Sequence, residues 1–113
     1  MADSYNATIN QGETFVLTAT VTGVNLSGYS ARCKGRLSHE ATATTWDKST
    51  GGGGVAISSG ASSTVTLTLT ATETAALTRW TAGVYDMEYE SAGGVVTRFL
   101  QGTYIVTGEV TRA

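Results

Sequence analysis

The segment TVTLTLT, residues 64–70, restricts the fold more than any other stretch of the chain. Val65, Leu67 and Leu69 alternate with threonines, so a strand places the apolar side chains on one face and the hydroxyls on the other. A helix would scatter the same residues around its circumference. FVLTATV at 15–21 repeats the pattern, with Phe15, Leu17, Ala19 and Val21 on one face and Thr18 and Thr20 on the other. Threonine is branched at Cβ and suits a pleated, half-buried surface. Strands of this kind need a second layer to cover their apolar face.

The remaining segments supply that layer. YNATIN, 5–10, reads as a short first strand closed by a Gln11-Gly12 turn, and NLSGYS, 25–30, as a loop whose Leu26 and Tyr29 plug the end of the core. ARCKGRL, 31–37, has an inner set of Ala31, Cys33, Gly35 and Leu37 and an outer basic stripe of Arg32, Lys34 and Arg36. Residues 38–63 are the least regular part: Trp46 and Val55–Ile57 suggest short strands, and the glycines at 51–54 a loop tip. Thr70 and Glu73 have capping-box spacing, which predicts one or two helical turns over about 71–77. GVYDMEYE, 83–90, is a strand with Tyr85, Met87 and Tyr89 inward, and residues 95–106 form its hairpin partner, with a bend expected at Gly102. About seven short strands and no long helix predict an all-β immunoglobulin-like two-sheet β-sandwich, with a small barrel as the alternative. The Cys…Trp…Cys signature of antibody domains is absent from the sequence.

The length, 113 residues, fits a single β-sandwich domain over 1–113, and a net charge of −2 gives no reason to expect nucleic acid or an anionic membrane as partner. No stretch approaches the ~18 apolar residues of a membrane-spanning helix. The first residues lack the basic-then-apolar order of a signal peptide. The chain is therefore expected to be made in a cytoplasm and to stay soluble until it meets its partner.

Charge is patterned on the strands. Asp86, Glu88 and Glu90 share one face, and a register with Met87 opposite Phe99 would set Glu88 opposite Arg98. In immunoglobulin-like topology the third strand lies beside the penultimate one, which would bring Arg32, Lys34 and Arg36 against the three acids. Successive same-face carboxylates on a strand stand about 7 Å apart, too far to converge on a cation, so a solvated face is expected and no metal or other cofactor. Three basic residues without an aromatic platform are a poor nucleic-acid surface.

No catalytic constellation is legible. His39 stands in a polar loop beside Glu40, and Cys33 reads as a small buried hydrophobe. No nucleophile elbow, phosphate loop or paired cysteine ligands occur, and the chain is expected not to be an enzyme. Trp46, Trp80 and Tyr104 could line a sugar site, which makes a carbohydrate- or receptor-binding module a second functional class.

An ordered series of segments carries a resemblance: QGETFVLT at 11–18, NLSGYSARCKGR at 25–36, TLTLTATETAAL at 66–77, GVYDMEYE at 83–90 and VVTRFLQGTYIVTGEVTR at 95–112. The series is similar to the immunoglobulin-like N-terminal module of baseplate upper proteins and related tail-fibre attachment domains of tailed phages, many of them cyanophages. Residues 38–63 are its least typical part. The resemblance implies a virion structural protein, symmetry-repeated in the particle, whose partners are other virion proteins of the tail, baseplate, fibre or capsid. Modules of this type often precede a fibre or receptor-binding region, whereas this sequence stops after Arg112 and Ala113, so a free-standing adaptor is expected; capsid decoration is the alternative. The candidate interface is the last strand and tail, Phe99, Leu100, Tyr104, Val106, Val110 and Arg112, with Arg32 and Arg36 and the segment before Tyr5. Val96 and Leu100 are expected to point outward.

Overall fold

A computed structural model describes residues 3–108. Along the chain lie β1 (Asp3–Ser4), β2 (Ala7–Asn10), β3 (Phe15–Val21), β4 (Ser30–Arg36), β5 (Trp46–Ser49), β6 (Val55–Ser58), β7 (Ser63–Leu69), the short helix α1 (Ala71–Ala75), β8 (Ala82–Glu90) and β9 (Val96–Thr107). They make two sheets in a β-sandwich-like fold. One has six strands in the order β1-β9-β8-β4-β5, with β2 also on β9; the other has the order β3-β7-β6.

The alternating segments become the strands they predict. Val65, Leu67 and Leu69 of β7 are buried while the threonines between them are not. They face an inner surface made from Ile9, Cys33, Met87, Tyr104 and Val106. Trp46, on the edge strand β5, lays its ring inward over β4 toward β8 and β9. Its indole Nε1–H donates to Cys33 Sγ at 3.3 Å, and its ring lies 4.8 Å from that of Tyr104 and 6.2 Å from that of Tyr85. The ring occupies the space over Gly35, where an added Cβ would sit 2.7 Å from it.

The first strands join the last. β2 runs parallel to β9, with Ala7 opposite Tyr104 and Asn10 opposite Thr107, and β1 continues the ladder at Leu100 and Gln101. Between them the Tyr5 carbonyl comes down onto Gly102, where any Cβ would overlap it, and Tyr85 Oη donates to the same carbonyl at 2.7 Å.

The hairpin β8–β9 corrects the expected register. Glu88 does face Arg98, but Met87 faces Leu100, because Phe99 is an extra residue in a β-bulge. The bulge turns Leu100 into the core, against the expectation that it points outward, and leaves Phe99 half-buried against Tyr89 at a ring distance of 5.4 Å. Val96 is exposed as expected. Leu37 is exposed, not an inner residue: β4 ends at Arg36 and the chain turns away at Ser38.

The capping box forms at Thr70. Its Oγ1 accepts from Glu73 N–H at 3.2 Å, and Glu73 Oε1 accepts from Thr70 N–H at 2.9 Å. The other oxygen of Glu73 pairs with Lys48 of β5, so one carboxylate caps the helix and ties it to an edge strand of the facing sheet. The Lys48 ammonium, then the Thr70 N–H, hold this carboxyl below its ordinary value of 4.5. A depressed pKa stabilises the fold above that ordinary value, and the contribution is lost as pH falls through the folded-state pKa. Glu73→Ala is expected to lower stability by roughly 1 kcal/mol near neutral pH, the scale of a lost cap. Urea titrations at several pH values should show that deficit shrinking in acid.

Candidate interaction face

The outer surface of the six-stranded sheet gathers charged residues of β4, β5, β8 and β9. β4 lies beside β8 with Arg32 opposite Glu88 and Lys34 opposite Asp86, so the basic stripe does run along the acidic one. Alternation alone produces this, because both strands turn their apolar residues to the core. Arg32 bridges two acids, with Nε 2.9 Å from Glu88 and Nη1 2.9 Å from Glu90. Both carboxylates hold its guanidinium charged, Glu90 more strongly. Lys34 reaches Asp47 of β5 at 3.7 Å, and Arg98 reaches Asp86 at 3.9 Å. Glu88 and Arg98 are thus register neighbours, but the carboxylate is taken by Arg32. Arg36 makes no ion pair among the described residues; its Nη1 donates to the carbonyls of Ala41 and Thr42 at 3.0 and 2.7 Å.

Arg32, Lys34, Arg36, Asp86, Glu88 and Arg98 line an open depression of about 670 Å³, together with Asn6, His39 and Thr103. Asp86 lies in it. Burial first, and the neighbouring Glu88 second, raise its carboxyl above the ordinary value of 3.8. Such a surface can recognise a partner by charge complementarity, since each ion is half-exposed and already oriented by a neighbour. Its exposed ion pairs contribute up to ~1 kcal/mol each to stability.

The candidate interface residues separate. Arg32 and Arg36 lie on this face. Leu100, Tyr104 and Val106 are core residues, because they point inward from β9, whereas Ile105 between them points out. Phe99 is half-buried at the bulge, and Val110 and Arg112 lie outside the described residues. Asp3 and Ser4, before Tyr5, are already paired with β9. The three aromatics proposed for a sugar site do not form a platform: Trp46 and Tyr104 are in the core, and Trp80 alone is exposed, at 68%. Asp47, Asn6 and Thr103 were missed as members of the face. Asp47 follows Trp46 in a short strand whose pairing with β4 nothing local announces, and Asn6 and Thr103 meet only through the long-range docking of the first strands.

No protein-family profile and no curated protein sequence matches the chain. Among the described residues no group of three or more His, Cys, Asp or Glu side chains could hold a metal ion.

Two outcomes are expected. Asp86 carries a raised pKa, so its ionisation weakens the fold as pH rises through the interval between its ordinary and folded values. Asp86→Asn should therefore be slightly more stable than the parent at neutral pH, by under about 1 kcal/mol, and equal to it in acid, in paired urea titrations. Burial pushes the Cys33 thiol up to about 12. It should resist iodoacetamide in the folded protein at pH 8 and react once urea unfolds the chain; mass spectrometry of the intact protein reads the adduct.

Proposed function

We propose that the chain is a non-enzymatic structural subunit of a tailed-phage virion, an immunoglobulin-like module that docks at the tail or baseplate as an adaptor or fibre-attachment piece. The series of segments that resembles such modules supports this reading. The strand order, β3-β7-β6 facing β9-β8-β4-β5, is compatible with that reading. The observation that carries it is the division of charge between the two sheets. The strands of the three-stranded sheet contain no Asp, Glu, Lys or Arg, while the outer face of the other sheet is an ordered mosaic of both signs.

Assembly needs both qualities. A patterned charged face rejects wrong neighbours through like-charge contacts and fixes orientation. A neutral face can approach a symmetry-related neighbour without that penalty. The partners are then other virion proteins, and the role is to hold a position.

Quantitative mass spectrometry of purified virions, with copy number referred to the major capsid protein, tests this. A small multiple of three or six is expected. Hundreds of copies would instead place the chain on the capsid as a decoration protein, and absence from the particle would overturn the structural reading.

A further inference from the structure

A sheet edge presents unpaired N–H and C=O groups, and proteins usually blunt it with charge or short length. Three edges here follow that rule. β5 has four residues and carries Asp47 and Lys48; β6 has four residues; β1 and β2 share one edge, with two and four residues and Asp3. The fourth does not. β3 has seven residues, FVLTATV, with no charge, glycine or proline, and among the described residues is hydrogen-bonded on one side only, to β7. The first strands of the chain, which could have covered it, pair with β9 in the other sheet.

The burial pattern singles out the same strand. The inward side chains of β7 are buried, whereas those of β3, Phe15, Leu17, Ala19 and Val21, remain half-exposed although they pack on the core. The sandwich is thus left open along β3, with apolar surface at the opening. Outward, Val16 is 56% exposed, and Thr18 and Thr20 are exposed beside it.

From this we infer that β3 pairs antiparallel with β3 of a second copy of the chain, about a twofold axis at Thr18, joining the two three-stranded sheets into one. The strand is self-complementary in that register. Phe15 meets Val21 and Leu17 meets Ala19 on the inner face, each a large residue against a smaller one. Val16 meets Thr20 on the outer face, and Thr18 meets itself. Inner residues stay with inner and outer with outer, as an antiparallel ladder requires. The Thr18 pair repeats a contact already present within the sheet, where Thr18 Oγ1 lies 3.2 Å from Thr66 Oγ1 of β7. With no charge on the strand, no like-charge contact opposes the approach. The pairing stands apart from the virion reading and would hold for a chain with any other role.

The axis can be tested at Thr18, whose side chain is exposed and makes no core contact. By sedimentation equilibrium the parent chain is expected to dimerise. Thr18→Lys and Thr18→Glu, each folded by circular dichroism, should each be monomeric, since like charges would meet on the axis. An equimolar mixture of the two should dimerise again. Cysteine variants fix the register: Thr18→Cys should form a disulfide-linked dimer on oxidation, while Thr20→Cys, which faces Val16 of the other copy, should do so at least tenfold more slowly. A parent that stays monomeric overturns the inference, as does a dimer that both charged variants leave intact. If the parent dimerises but particles lack the chain, the virion reading fails and this one stands.

Discussion

The interior depends on one close approach, the Trp46 ring seated over Gly35. A residue with a side chain at position 35 would lift the indole off the sheet, and Tyr85, Tyr104 and Cys33 are arranged around that indole. These aromatic rings come from the six-stranded sheet, and the facing sheet adds Val55, Val65, Leu67 and Leu69, with Phe15 and Leu17 partly buried beside them. Three strands suffice there where the other sheet has six. Thr45 adds a polar tie, its Oγ1 2.5 Å from Tyr104 Oη, so the fully buried Tyr104 hydroxyl keeps a hydrogen-bond partner.

The outside follows from the inside. Once alternation commits the apolar residues of β4 and β8 to the core, their charged residues have one direction left, and the two stripes meet across a single strand spacing. The same rule leaves β3 and β7 with a surface of hydroxyls and methyls. The polarity of the molecule is thus a by-product of strand periodicity, with different residues filling the outward positions of each sheet.

Much of this was legible in the chain, and the reasons are local. Alternation marks β3, β4, β7 and β8; Thr70 and Glu73 mark the helix start; the placing of the charged stripes follows from strand parity. What was hidden is non-local. Phe99 and Leu100 are adjacent apolar residues, and parity alone cannot say which one a bulge will set aside. Leu37 continues the alternation of β4, yet the strand ends one residue earlier. Trp46 and Tyr104 were weighed as surface aromatics because residue type does not distinguish a binding platform from a core ring, and only the packing of β5 and β9 does. Gly102 lets another segment of backbone pass close above it, a contact that nothing near it in the sequence signals.

That passing segment bears on how the protein folds. Residues 7–10 lie against residues 104–107, so the first strands emerging from a ribosome have no place to dock until nearly all of the chain has followed. Loop-closure entropy must be met before the contact gives anything back, which makes the docking a late event in folding. Until then β9 keeps an open edge, and Ile9 and Ala7, buried in the finished fold, remain in water. The nascent protein thus passes through a stage in which the twelve-residue β9 is itself the sheet edge, when neighbouring copies on a polysome could exchange the strands that later cover it.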